Sequence, residues 1–186
     1  GGRGDGGGRG GGASARRERL RTLCAAVRAG AWAEAEQMLE STRWSVNEYR
    51  ASLQAASQVG DWRGARRLLT HMQAEGGHPP DAAAAAHAIG ACHRAKRPKE
   101  VLELLQSLEE AGVTPELRSY NMGISASGRV GDWRTAIELL RSMGLNDVPP
   151  SVVSYNAALS ALGRGGRWQQ ALELLEEMDR KRGVEA

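Results

Sequence analysis

Phenylalanine is absent from this chain and aromatic residues make up only 4% of it, so leucine, alanine and methionine must pack any core. Cysteine occurs twice, as Cys24 and Cys92, which excludes a disulfide framework and leaves no thiolate set for a metal. Two such residues on helical faces are expected to be buried, reduced thiols. No run of 18 apolar residues occurs, so no membrane-spanning helix is expected. The formal net charge is only +3, too mild by itself to establish nucleic-acid binding. No strand pattern appears, and without a strand the glycines cannot form a phosphate-cradling Gly-x-Gly-x-x-Gly turn. His71, His78, His87 and His93 lack metal-ligand spacing: His87 and His93 fall on roughly opposite faces of one helix, with no carboxylate to complete a set. Glu109-Glu110 and Glu176-Glu177 read as solvated charge on exposed helix faces. No catalytic residue, cofactor or metal site is therefore expected, and the chain is not expected to be an enzyme.

What the chain has instead is a period. Trp133 and Trp168 stand 35 residues apart, as do Tyr120 and Tyr155, and each Tyr is followed by Asn, at Asn121 and Asn156. A period of this size marks a solenoid of stacked supersecondary units, whose function lies on an extended surface. Aligning the Trp positions divides the chain into units 16–45, 46–81, 82–116, 117–151 and 152–186. Their eighth residues are Leu23, Leu53, Ile89, Ile124 and Leu159. Further columns follow in Ala35, Ala65, Val101, Ala136 and Ala171, then in Leu39, Leu69, Leu105, Leu140 and Leu175. A last one reads Met72, Leu108, Met143 and Met178, broken by Thr42 in the first unit. Spacings of three and four put these columns on one helical face. Gly30, Gly60, Gly131 and Gly166 sit midway, where a left-handed residue ends one helix before the next. In the third unit Lys96 and Pro98 replace Gly and Trp, and Pro is tolerated at a first helical position. Pro79-Pro80, Pro115 and Pro149-Pro150 stop the second helices. Each unit is thus a helix, a tight turn and a second helix, and the fold class is all-α. Trp32, Trp62, Trp133 and Trp168 open second helices and are expected to pack between helices; Trp44, off the column, is expected to fill the junction after the short first unit.

Two stretches of the last unit carry a resemblance. Val152-Val153-Ser154-Tyr155-Asn156-Ala157-Ala158-Leu159 and Gly166-Arg167-Trp168-Gln169-Gln170-Ala171-Leu172-Glu173-Leu174-Leu175-Glu176-Glu177-Met178 resemble pentatricopeptide repeats of the P-class kind. The resemblance covers residues 46–186, with 16–45 as a shortened unit and 82–116 as a degenerate one. The tetratricopeptide signature is missing. The resemblance implies a right-handed α-α superhelix, or solenoid, of about five helical hairpins, with the first helices on the concave face and one RNA base met per unit. It further implies that a unit's fifth and last residues contact the base edge while the second residue sandwiches the ring. The pairs are then Arg50 with Asp81, Ala86 with Glu116, Asn121 with Ser151, and Asn156 with a residue at or beyond Ala186. Arg118 and Val153 are the stacking residues. Ala86 offers no hydrogen bond, so the third unit is expected to be silent. Asp81 and Ser151 each precede a helix and can equally be N-caps; Asn121 and Asn156 can equally be solvated polar residues.

Arginine recurs two residues before the turn, as Arg28, Arg94, Arg129 and Arg164, with Gln58 the exception. Such a ladder suits phosphate contacts that hold a strand in register, and equally suits the dipole at a helix C-terminus. Residues 1–15 form a Gly/Arg-rich tail, with nine glycines in the first 12 residues, expected to be disordered. The tail reads either as a source of loose RNA affinity or as a plain leader, and the last unit stops where another would begin, as in a fragment. The expected function is single-stranded RNA binding by a monomer, away from membranes and alongside other protein factors. The resemblance implies organellar RNA metabolism (stabilisation, processing or translation) in a mitochondrion or chloroplast. The alternatives are a protein–protein scaffold of helical repeats and the RNA-binding arm of a longer enzyme.

Overall fold

The computed structural model describes residues 10–184, with side chains from 13 to 180. Ten α-helices occur among the described residues, in five hairpins. They are α1 (Gly10–Ala29) with α2 (Trp32–Ser41), α3 (Val46–Val59) with α4 (Trp62–Ala74), and α5 (Ala82–Arg94) with α6 (Pro98–Glu110). The remaining pairs are α7 (Leu117–Val130) with α8 (Trp133–Leu145), and α9 (Val152–Arg164) with α10 (Trp168–Val184). The tail was expected to run to residue 15, yet α1 already begins at Gly10; residues 1–9 lie outside the described residues. A helix nucleated by the amphipathic stretch around Leu20, Leu23 and Val27 extends at little cost through Ala13-Ser14-Ala15, because propagation is far easier than nucleation.

The turns follow from backbone sterics. Gly30, Gly60, Gly131 and Gly166 all adopt left-handed conformations, with φ from 66° to 78°. In the third unit Lys96 takes that place with φ 56°, and Pro98 opens α6. Side-chain caps then start the next helices: Asp61 accepts from the Gly64 amide at 3.0 Å and Asp132 from the Thr135 amide at 3.2 Å.

The hairpins stack in two unequal layers. First helices pack directly on one another, α1 on α3, α3 on α5, α5 on α7 and α7 on α9, while the main contacts of the second helices are with first helices. The tighter layer is necessarily the inside of the curve. Small residues permit this approach: α5 buries Ala84, Ala85, Ala86, Ala88, Gly90 and Ala91, and a methyl group added at Gly90 would come within 2.7 Å of the Ser57 hydroxyl on α3. The core divides on α5, with Ala84, Ala88 and Ala91 facing the first units and Ala85, Ile89 and Cys92 the later ones. The apolar columns are buried through the fourth unit; in the last, Leu175 is exposed, since no later helix among the described residues covers α10.

Trp32, Trp62 and Trp133 join successive turns, as expected of inter-helix packing, whereas Trp168 is 66% exposed because no later unit among the described residues packs on it. Trp32 Nε1 donates to Asp61 of the following turn at 2.6 Å. The guanidinium of Arg97 lies 4.7 Å from the Trp62 ring and that of Arg167 lies 5.0 Å from Trp133, so each ring is clamped by the next unit. Trp44 is buried at the α2–α3 junction, its Nε1 donating to the Met38 carbonyl at 3.2 Å. The Tyr column is buried too, and its hydroxyls meet the last turns of second helices: Tyr49 with His71 Nδ1 at 2.8 Å and Tyr120 with Asn146 Nδ2 at 2.8 Å. In the last unit Tyr155 donates to Glu177 at 3.5 Å, so Glu177 is half-buried instead of lying on a fully solvated face.

Glu48 ties α1 to the stack. It reaches back to the Ser45 amide at 2.7 Å and accepts Arg16 Nε and Nη2, each at 2.7 Å, while itself buried. The arginine hydrogen bonds lower its pKa from 4.5 to about 2. A depressed carboxylate stabilises the fold fully above its unfolded pKa, so this share is whole above pH 4.5 and lost as pH falls towards 2. Glu48→Gln should lower the melting temperature at neutral pH, a charged hydrogen bond being worth about 1.5–3 kcal/mol, and should flatten its decline across that acid window in thermal melts. Lys96→Gly should act oppositely, relieving left-handed strain for a net gain of about 0.5–1 kcal/mol by the same measurement.

Candidate functional site

Because first helices repeat at 35 residues and lie side by side, their fifth residues come into line across the concave layer. A groove of about 660 Å³ runs there, lined by His93 from α5, by Arg118, Asn121 and Ser125 from α7, and by Val153 and Asn156 from α9. Four of the residues expected from the sequence are thus brought to one surface. Asn156 and Arg118 are exposed, and Val153 is 63% exposed, an apolar side chain that no described residue covers. Asn121 differs from the solvated polar residue considered above. Its Oδ1 is buried and has no hydrogen-bond partner among the described residues. Buried acceptors are almost always satisfied, so nothing in the fold accounts for this orphan on a residue that lines the groove. Ser151 caps α9, exchanging bonds with Ser154 at 3.0 and 3.4 Å, and stays partly open to solvent.

The second unit is arranged differently. Arg50 and Asp81 do meet, but as an ion pair with each other, and Asp81 also accepts from the Ala84 amide at 2.8 Å as the cap of α5. The arginine hydrogen bond holds the Asp81 carboxyl below its ordinary range. Both side chains are thereby occupied within the protein. In the third unit Ala86 is buried against neighbouring helices, and Glu116 is an exposed residue at the start of α7.

The arginine ladder is present, and its members reach backwards. Arg94 Nε donates to the Ser57 carbonyl at 2.8 Å, at the C-terminus of α3. Arg129 donates to His93 at the end of α5, and Arg164 lies beside Gly128 at the end of α7. Arg94, Arg129 and Arg164 therefore each sit against the preceding unit's helix C-terminus, where the dipole favours a cation. All four, Arg28 included, remain exposed. His93 was missed from the sequence, although a signal was there: Gly128 and Gly163 hold the same position in the next two units, so an imidazole is a departure from the column.

Other chemistry is poorly served. Among the described residues no three His, Cys, Asp or Glu side chains could hold a metal ion, and no helix is long and apolar enough to cross a membrane. Both cysteines are buried free thiols, and burial pushes Cys92 up to about 11, far from a thiolate nucleophile.

Residues 88–113 and 153–182 match the PPR repeat, and residues 123–165 match the pentatricopeptide repeat domain. No curated protein matches the chain. Among solved structures the fold is similar to the pentatricopeptide repeat protein PPR10 from maize, with TM-score 0.67 and 16% identity over 87% of this chain and 24% of that one. PPR10 in complex with an 18-nt psaJ RNA element gives TM-score 0.61 and 24% identity over 87% of this chain and 27% of that one. The PPR domain of Arabidopsis thaliana protein-only RNase P 1, in complex with tRNA, gives 0.65 and 19% over 84% of this chain and 85% of that one. The chain thus spans about a quarter of the PPR10 chain. At these identities the likeness is one of fold.

The orphaned Asn121 acceptor has a measurable consequence without any ligand. An unsatisfied buried polar atom costs about 1–3 kcal/mol, and alanine is the better helix former. Asn121→Ala should therefore leave the melting temperature of the free protein unchanged or raise it by a few degrees. A large fall would make Asn121 a structural residue.

Proposed function

The chain belongs to the pentatricopeptide repeat family, and from that premise we propose that it binds single-stranded RNA along the groove of its first helices. The observation that carries this reading is the groove that brings Asn121, whose buried Oδ1 has no partner among the described residues, together with Asn156, Val153 and Arg118. A single strand exposes its base edges, so a few side chains suffice for each base. Asn121 with Ser151 meets one base, a pyrimidine with cytosine ahead of uracil, and Asn156 meets the next. Arg118 and Val153 cover ring faces, since stacking tolerates any base. Arg28, Arg94, Arg129 and Arg164 hold phosphates along one edge, a role compatible with their backward contacts because they remain exposed. At the second unit a base must compete with the Arg50–Asp81 ion pair, and the third unit contributes no base contact. PPR10 has been solved with an RNA element and supports the reading by its fold. The setting we propose is organellar, mitochondrial or chloroplast, with the bound transcript stabilised, processed or translated as a result. A second reading, the RNA-binding arm of a longer enzyme, is favoured by the match to most of the RNase P repeat domain solved with tRNA.

Binding of labelled oligopyrimidine RNA across a salt series tests this. Each phosphate contact to a single strand adds about −0.7 to the slope of log K against log salt, so changing Arg94, Arg129 and Arg164 together to Gln should flatten it by about 2. That triple variant should weaken all sequences alike, whereas Asn121→Ala should weaken base discrimination and leave the slope unchanged. No binding to any single strand at low salt would leave the protein–protein scaffold as the better account.

A further inference from the structure

We propose that His93 and Arg129 form a phosphate clamp across the junction of the third and fourth units, and that an RNA strand entering it takes up a proton on His93. The inference rests on the RNA reading above and adds to it a residue, a register and a coupled ion. A guanidinium only donates hydrogen bonds. In the free protein Arg129 Nη2 is in hydrogen-bond contact with His93 Nε2, an arrangement that requires Nε2 to accept and so is open only to the neutral ring. The charges acting on the ring are all positive: Arg129 and Arg118 from α7, and Arg94 from its own helix. No acidic group of α3, α4 or α6, which also pack on α5, is among them. Burial first, then these cations, hold His93 below its ordinary pKa.

A phosphodiester anion reverses the balance. Placed between the two side chains, it accepts from Arg129 and from a protonated Nε2, and its negative charge favours imidazolium where the arginines alone opposed it. The bookkeeping is simple: one proton leaves solvent for His93, and no covalent bond changes. Position supports the site. His93 lines the same groove as Asn121, and Arg129 follows Asn121 by eight residues, roughly 12 Å along α7. A base at Asn121 therefore has its backbone on the Arg129 side. The clamp belongs to one register only, since Arg94 and Arg164 meet Ser57 and Gly128 where Arg129 meets an imidazole. The third unit, which lacks a base contact at Ala86, would thus contribute to the backbone.

Anisotropy titrations of labelled oligopyrimidine RNA at fixed salt, from about pH 8 to about pH 5.5, test the clamp across the histidine range. Wild-type affinity should rise about three- to tenfold as pH falls, the size expected when binding raises one group's pKa by up to about one unit. His93→Gln, which keeps an amide in place but cannot titrate, should remove that rise. His78→Gln, in the connection between α4 and α5 and outside the groove, should keep it, and melting curves establish that both variants fold. Calorimetry in buffers of different ionisation enthalpy should show proton uptake for wild type and none for His93→Gln. Binding that is independent of pH, or a pH response that survives His93→Gln, overturns the clamp while leaving the RNA reading intact. No RNA binding at any pH overturns both.

Discussion

The close approach of the first helices is the constraint on which the rest depends. It is available because α5 presents alanine and glycine to α3, with no room at Gly90 for even one more methyl group. Helices that touch along one layer and stand apart in the other must curve, and the touching layer becomes the concave side. That curvature aligns Asn121 with Asn156 and brings Val153 and His93 to the same groove. A large residue at Ala88 or Ala91 would act on the groove without being in it, by spreading the helices that define it.

The same contacts couple recognition to stability. Each backward-reaching arginine staples its unit to the end of the preceding first helix, as Arg94 does at the Ser57 carbonyl. The ladder thus has a structural use in the free protein and an exposed face that remains available to a ligand. The two explanations offered by the sequence, dipole and phosphate, are compatible in geometry. Asn121 stands at the other extreme: its buried acceptor contributes nothing to folding that the structure shows. A repeat array can accommodate such a residue because its cohesion comes from neighbouring units and not from any one position.

Much of the fold was legible in advance. The Tyr-Asn and Trp periods marked the hairpins, the glycines marked left-handed turns, and Lys96 with Pro98 filled the same two roles in the degenerate unit. These features are local, and local sterics decide them. The departures have a different origin. The extension of α1 to Gly10 reflects helix propagation beyond the last good pattern residue, and Glu177 turned out to meet Tyr155 from the neighbouring helix. Arg50 and Asp81, expected as two readers of one base, also pair with each other in the free protein, because opposite charges brought together by adjacent helices attract without a ligand.

The sequence by itself determined the class of the fold, the number of hairpins, the turn geometry and which face of each helix is apolar, since a short-range period dictates all four. Tertiary structure decided which polar groups are left over. Arg129 and His93 are 36 residues apart and Arg50 and Asp81 are 31, and no spacing within one helix reports whether such groups meet. Only the stacking distance between helices settles that, and it separates a satisfied side chain from one left waiting for a partner.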